Sequence, residues 1–377
     1  MGVKNNVFLK SQTLPDNTHR GIYMANNLIR TKRRRPIRPA SKPKALTVFL
    51  RVILCFFTFI LILAGGLYGA CAVVFKGPSV SARDKLVAST LEMSAAKFVP
   101  RIFFSEEEIQ KILEENEVKD PGEITNPELV VIGQNDKKKG ENDEFADCPD
   151  GIKLLNIKGD TYRGYLMLIK DPSRCYVATS SNFKGGQRGL KIFEALEKEQ
   201  AIAAINAGGF PDNGGVGAGD KPIGLTISKG QLLWGDAGTS YNGVIGFTDK
   251  NVLVVGNMTG RQALDAGVRD CVCFGPILVV NGEPAAIKGD SGSLNPRTAI
   301  GQRADGVVIF LCIDGRMSSS LGASYADLIN IMIEYGAVNA ANLDGGSSTH
   351  MYYKGEAINV SSSLYGPRRM PTFFMVK

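Results

Sequence analysis

Histidine is nearly absent: the 377 residues contain only His19 and His350. That scarcity excludes a metal centre built on several imidazoles and argues against a Ser-His-Asp mechanism. Cysteine is also sparse. Of seven, Cys55 and Cys71 fall in or beside an apolar amino-terminal segment, leaving Cys148, Cys175, Cys271, Cys273 and Cys312, an odd number. No secreted disulfide scaffold is indicated. Cys271-Val272-Cys273 is too isolated for a zinc site, and Cys312 lies in an apolar run where a thiol acts as a small hydrophobe. The formal net charge of +7 does not belong to the whole chain, because the first 51 residues hold 12 basic residues and one acid, Asp16. The remainder is slightly acidic. Clustered Lys and Arg can serve as a nucleic-acid arm, but here a topology signal explains them more economically, and no nucleic-acid partner is expected.

One long uncharged run is present, at residues 52–75. At ~1.5 Å per helical residue it is long enough to cross a ~30 Å hydrocarbon core. Arg30, Lys32, Arg33, Arg34, Arg35, Arg38, Lys42, Lys44 and Arg51 precede it, and the positive-inside rule keeps such a block in the cytoplasm. A cleaved signal peptide is the competing reading. No clean small-x-small site closes the run, although Gly69-Ala70-Cys71-Ala72 comes near one, and a lipid-modified Cys71 conflicts with the apolar residues that follow it. The expected organisation is a cytoplasmic leader at 1–51, a transmembrane signal-anchor at 52–75, an extracytoplasmic stalk and linker at 76–150, and a catalytic domain at 151–377. Helical character at 81–98 and the capping-box pattern Ser105-Glu106-Glu107-Glu108 mark the stalk. The polar, aperiodic stretch 136–144 marks the boundary. The remaining residues suffice for one substantial core. Leader and span together suggest a bacterial envelope; the Asn-x-Ser/Thr triplets at Asn257 and Asn359 are chance-level.

The most informative stretch is Asn342-Leu343-Asp344-Gly345-Gly346-Ser347-Ser348-Thr349-His350, where an apolar run stops at a carboxylate and opens into small and hydroxyl residues. Glycines allow close backbone approach, and successive N–H groups and hydroxyls can surround an anion. Upstream, Tyr325, Leu328, Ile329, Met332 and Tyr335 recur at helical spacing, with Ser324 as N-cap, Asp327 three residues on and Gly336 as terminator. Residues 306–313 form another strand, ending in Asp314-Gly315-Arg316. If the two strands are parallel neighbours in a βαβ unit, Asp314 and Asp344 lie at adjacent carboxyl ends, a common ligand position in α/β sheets. A third apolar run ends in Asn206-Ala207-Gly208-Gly209-Phe210. Each Asp-Gly or Asn-x-Gly alone is best read as turn chemistry; three together favour a site.

Arg297, Arg316 and one of Arg368 and Arg369 are the cations positioned to complement it, each at a strand end or Pro-flanked turn. The planar guanidinium presents paired donors to anionic oxygens, which suggests a phosphate-containing substrate. Segments 164–169, 252–255 and 277–280 read as strands and 192–198 as a helix. The fold class is therefore α+β: a sheet-rich single domain with a βαβ unit, preceded by one transmembrane helix and a helical stalk.

Several of these blocks, in order, resemble the phosphodiester glycosidase family: 206–210, 274–282 with Gly275, 296–301, 314–316, 342–349 and 368–372. The resemblance spans roughly 151–377. It implies an α+β catalytic domain that hydrolyses a sugar linked through a phosphodiester, as in release of α-linked N-acetylglucosamine from a 1-phosphodiester, with Asp314, the Asp344 loop and the arginines lining the pocket. The cysteine-rich modules and carboxy-terminal anchor of eukaryotic members have no counterpart in this sequence, so a lysosomal-targeting substrate is not implied. The family position matching His350 is usually apolar, which favours a structural or rim role for that residue over proton transfer.

The expected catalytic residues are Asp344, Asp314 and Arg297. Arg297 and Arg316 would hold the phosphodiester, while the backbone N–H groups of Gly345 and Gly346 stabilise developing charge. One carboxylate would activate water and the other protonate or orient the leaving group, in an order the sequence leaves open. Asn206, Gly208, Gly209, Gly275, Ser347, Ser348, Thr349 and Arg368 complete the expected binding set. No cofactor is required by these residues; calcium or magnesium is compatible with the oxygen-rich loop, without ligand spacing that demands it. The expected partner is a phosphorylated cell-surface or exopolysaccharide glycan. Two other readings remain open: a non-catalytic phosphopolysaccharide-binding assembly factor, and a membrane-anchored phosphoglycan transferase.

Overall fold

Continuous apolar runs such as 164–169 and 307–313 are what strands need when both their faces are buried. A computed structural model describes residues 44–133, 143–212, 217–289, 292–363 and 365–377. In it these runs form the middle of a seven-stranded sheet. Its order is Glu283–Pro284, Ile277–Val280, Ala337–Leu343, Arg297–Arg303, Val308–Ile313, Arg163–Ile169 and Ile152–Lys158, and every neighbouring pair is antiparallel. Alternate residues serve two cores. Met167, Ile169, Ile300, Phe310 and Cys312 face a core shared with two five-stranded sheets, whereas Leu166, Leu168, Ile309 and Leu311 face the helix Tyr325–Glu334. Complete burial of one such Leu or Phe contributes roughly 1.5–3 kcal/mol.

That helix begins where its sequence predicts, with a capping box between Ser324 and Asp327, and it ends at Gly336, whose φ is +81°. It connects Val308–Ile313 to Ala337–Leu343. The two strands run parallel, as expected, but they are not neighbours. Arg297–Arg303 lies between them and antiparallel to both, pairing Arg297 with Ile313 and Thr298 with both Cys312 and Leu343. The βαβ unit is therefore split. Its inserted strand starts at the end where its neighbours finish, which brings Arg297 to the level of Asp314 and Asp344.

Ten further strands form two five-stranded sheets. Ala203–Asn206 is central in one, flanked by Met351–Tyr353 and Thr372–Val376. The helix Ile192–Glu199 packs on its outer face through Ile192, Ala195 and Leu196. The other sheet contains Val268–Cys273 and Leu253–Thr259.

Among the described residues, one helix, Ala45–Phe75, is long and apolar enough to cross a membrane. The basic leader before residue 44 and most of the 136–144 stretch lie outside the described residues. Met1–Ile62 and Leu63–Lys377 form separate compact units. Within the second, the residues expected as a free-standing stalk pack onto the domain. Helices Val80–Leu91 and Glu106–Glu115 are joined by Asn116 donating to Asp84 at 3.0 Å, and Phe75, Val87 and Ile112 make a small core between them. Val118–Lys119 pairs with Ala286–Ile287, and the Val131 N–H donates to the Ala304 carbonyl at 2.8 Å. A spacer reading predicts solvated backbone; here that backbone completes the domain's own hydrogen bonding.

Candidate active site

The loop after Leu343 is held by bonds from other elements. The Asp344 N–H donates to the Ala207 carbonyl at 3.0 Å, and the Asn206 amide donates to the Asp344 carbonyl at 2.5 Å. The Asn206 oxygen in turn accepts from the Thr298 hydroxyl at 2.8 Å and from the His350 N–H at 3.1 Å. Asn206 thus ties three strands together and does not line the cavity. Gly208 and Gly209 serve close packing: a Cβ would lie 2.9 Å from Val272 at the first and 2.9 Å from Phe274 at the second.

Beside this loop is a cavity of about 350 Å³. Asp344, Arg297, Arg316, Gly275, Gly345, Gly346, Ser347 and Arg368, all singled out from sequence, line it. Asp314, Asn206, Gly208, Gly209, Ser348 and Thr349 do not. Asp314 is buried one step away, where its carboxylate accepts the Val360 N–H at 3.0 Å and Asn359 at 3.4 Å. Burial pushes its carboxyl upward, with Val360 and Asn359 opposing. The second carboxylate in the cavity is instead Asp212, ion-paired with Arg368 and accepting a hydrogen bond from the Ser94 hydroxyl. Sequence reasoning missed it. Asp212 stands only two residues beyond the Asn206–Phe210 block, so extending that block was the available signal.

The guanidinium groups converge. Arg297 is 3% exposed and stacks over the Tyr325 ring at 4.1 Å. It donates to the Tyr325 hydroxyl at 3.0 Å, the Ser293 hydroxyl at 2.6 Å and the Ala323 carbonyl at 3.3 Å. Burial alone would disfavour its charge; Glu92 and then Tyr325 outweigh that and raise its pKa. Arg316 donates to Asn295 at 2.9 Å and 3.2 Å and lies against Gly346, where a Cβ would sit 3.1 Å from its nitrogen. Gly346 also has φ +61°, so a side chain there would be strained and would crowd Arg316. Burial, with Arg297 nearby, lowers the Arg316 pKa against the pull of Glu92. Arg368 lies over the Phe210 ring at 4.9 Å.

The backbone N–H groups assigned to charge stabilisation are already engaged. Gly346 donates to the Pro296 carbonyl at 2.8 Å and Gly345 to the Asp344 carboxylate at 3.0 Å. An anion in this cavity therefore meets guanidinium groups in place of a backbone nest. The carboxyl of Asp344 keeps part of its surface open to the cavity, yet dense protein surrounds it. Burial pushes its pKa up to about 6, opposed by the Ser348 hydroxyl, Arg368 and the Gly345 N–H and assisted by Asp212. His350 is buried outside the cavity lining, and burial lowers its pKa to about 4, so it is a neutral packed side chain near pH 7. No group of three or more His, Cys, Asp or Glu suited to a metal ion occurs among the described residues.

One carboxylate arrives from outside the three large sheets. Glu92, just past the helix Val80–Leu91, lies 3.0 Å from Arg297 and accepts from the Ser293 hydroxyl at 2.5 Å and the Asn295 amide at 2.9 Å. It lines the cavity beside Arg297. Nothing in its local sequence marks it, because its role depends on contacts about two hundred residues away.

Residues 199–377 match the family model described as phosphodiester glycosidase. The SPbeta prophage-derived uncharacterized protein YomE of Bacillus subtilis (strain 168) is 29% identical over 198 residues, 50% of this chain and 29% of that protein. The N-acetylglucosamine-1-phosphodiester alpha-N-acetylglucosaminidases of Bos taurus and Mus musculus are each 24% identical, over 51% and 54% of this chain and 39% and 42% of their own lengths. The chain thus spans less than half the length of these curated relatives. The catalytic domain of the zebrafish enzyme of that name, auto-inhibited by its pro-peptide, superimposes with a TM-score of 0.51 at 20% identity, over 60% of this chain and 81% of that one. The superposition shows a common fold. Residues 199–377, just under half of the chain, thus form a phosphodiester glycosidase family-model domain.

Proposed function

We propose that this protein is a membrane-anchored hydrolase that cleaves sugar phosphodiester linkages in cell-surface or exopolysaccharide glycans, with its catalytic domain outside the cytoplasm. The observation that carries the reading is the convergence of Arg297, Arg316 and Arg368 on one cavity with Asp344, whose carboxyl is raised to about 6. A pure binding module needs the cations and has no use for a carboxyl raised into the working pH range. The second ionisation of a phosphate monoester lies near 6, so Asp344 is matched to protonate the departing phosphate as the sugar C–O bond opens. Asp212, held by Arg368, orients the attacking water and accepts its proton as the new C–O bond forms. The guanidinium groups neutralise charge on the phosphate.

The test is hydrolysis of an N-acetylglucosamine-1-phosphate diester by the full chain in detergent, run with and without EDTA and with added calcium or magnesium. Failure to turn over any of several sugar phosphodiesters would shift the reading to the binding or transferase alternatives. With Asp344 as acid, its protonated form is the active one. kcat/KM should be level below about pH 6 and fall about tenfold per pH unit above it; a limb of opposite slope would make Asp344 the base.

In this reading the segment carrying Glu92 is an occluding element, comparable with the pro-peptide of the zebrafish relative. Substrate phosphate and the Glu92 carboxylate compete for Arg297. Glu92→Gln should lower KM about three- to tenfold, since it enlarges the binding-competent fraction, with little change in kcat. An unchanged KM in a variant with wild-type thermal stability would remove the occlusion idea.

A further inference from the structure

Beside the catalytic cavity lies a second groove, of about 500 Å³, which the proposed chemistry touches only at the shared wall of Ser347 and Arg368. Ser347 and Arg368 line both spaces, so the two adjoin. The groove is basic, carrying Arg188, Lys191, Arg368 and Arg369. Two of these charges are balanced: Arg369 forms a two-pronged pair with Glu194 at 2.7 Å and 3.1 Å, and Arg368 pairs with Asp212. Arg188 is exposed and Lys191 half-buried, and among the described residues neither forms an ion pair. Lys191 also acts electrostatically on Glu194 and lies over the Phe193 ring at 5.7 Å, so four cations share two carboxylates and the groove keeps a net positive charge. On the same rim Tyr365 is 94% exposed, a large ring left in water.

We infer that this groove is a second anion subsite, and that the substrate is a polymer bearing successive phosphates, in which one phosphodiester is cut while a neighbouring phosphate rests between Arg188 and Lys191. The inference rests on the proposed function for the position of the cut, but the groove's chemistry stands independently of it. A lone surface arginine is ordinarily solvated and contributes little. Here Arg188 and Lys191 line a groove that shares Ser347 and Arg368 with the reaction cavity, so a polyanion bound in the cavity can extend past them, and guanidinium recognises phosphate oxygens in pairs. Tyr365 supplies a flat apolar face for the intervening sugar ring.

The test compares a single N-acetylglucosamine-1-phosphate diester with a synthetic oligomer of three sugar phosphodiester repeats, using the full chain in detergent. Arg188→Gln with Lys191→Gln should raise KM for the oligomer about tenfold and leave the single diester unchanged. Tyr365→Ala, which alters no charge, should raise the oligomer KM about threefold. A control pair of equal charge loss, Lys158→Gln with Lys250→Gln, should affect neither substrate; an equal effect from the control would reduce the result to non-specific attraction and overturn the subsite. Titration of fluorescently labelled oligomer onto the same proteins, without turnover, separates the two ideas. Absent turnover with oligomer binding weakened by the groove variants would fail the catalytic reading and keep the subsite. Oligomer binding that is absent, or insensitive to Arg188, Lys191 and Tyr365, would end it.

Discussion

Replacing Asp344 with Asn is expected to lower kcat/KM by about 10²–10⁴ while making the folded protein more stable at neutral pH. The first effect follows from removing the only group in the proposal that delivers a proton, a loss equivalent to roughly 3–5 kcal/mol of transition-state stabilisation. The second has a different origin. Burial holds the folded-state carboxyl at about 6, whereas the unfolded chain titrates near its ordinary value of about 3.9. A raised carboxyl contributes stability that is complete below about pH 4 and is lost as pH rises through about 6. Asparagine keeps the shape without that loss. After allowing for the weakened bond from the Gly345 N–H and the lost attraction to Arg368, the net gain should be on the order of 1–2 kcal/mol at pH 7.5. Calorimetric melts should show the variant's Tm above wild type at pH 7.5, with the two converging near pH 4. A variant that is less stable at pH 7.5 would contradict the buried-carboxyl account.

Arg297→Lys should lower kcat/KM by about 10²-fold although the charge is kept. The guanidinium meets Tyr325, Ser293 and Ala323 along separate directions while facing Glu92. An ammonium on a flexible stem cannot reproduce those bonds or stack on the ring. Arg297→Ala should cost at least as much activity and also stability, because it strands buried acceptors around Ser293 and Tyr325. If Arg297 only grips the phosphate, the loss should appear in KM. If it meets charge that grows in the transition state, kcat should fall with kcat/KM. Wild-type kinetics in the lysine variant would remove Arg297 from the machinery.

What the sequence disclosed is what local chemistry determines. Ser324, Asp327 and Gly336 delimit a helix by their own hydrogen bonding and backbone geometry, and the structure ends the helix there. The alternation of core faces within Leu166–Ile169 was legible only as an apolar run, since burial on both sides removes the polar marker. Strand order was not legible: no local signal says that Arg297–Arg303 enters between two strands joined by a helix. The same limit explains the site. Asp344 and Arg297 stood out because each ends or begins a strand beside glycine or proline. Glu92 enters the cavity through tertiary placement alone, Asp212 had only its nearness to the Asn206–Phe210 block to mark it, and the Gly345 and Gly346 N–H groups look free until Pro296 and Asp344 are seen to accept from them.

The short passage from Phe75 to Glu92 limits how far the reaction centre can roam. With Ala45–Phe75 as anchor, even a fully unravelled connection of that length spans no more than about 60 Å, at roughly 3.5 Å per residue; in its helical form, Val80–Leu91 alone covers only about 18 Å. In the proposed anchored state, hydrolysis would be confined to a thin shell above the bilayer. Within it, polymer still attached at the membrane would be presented at high effective concentration, whereas polymer released beyond that height would escape cleavage. Reach, as much as pocket chemistry, would then select which glycan molecules are processed.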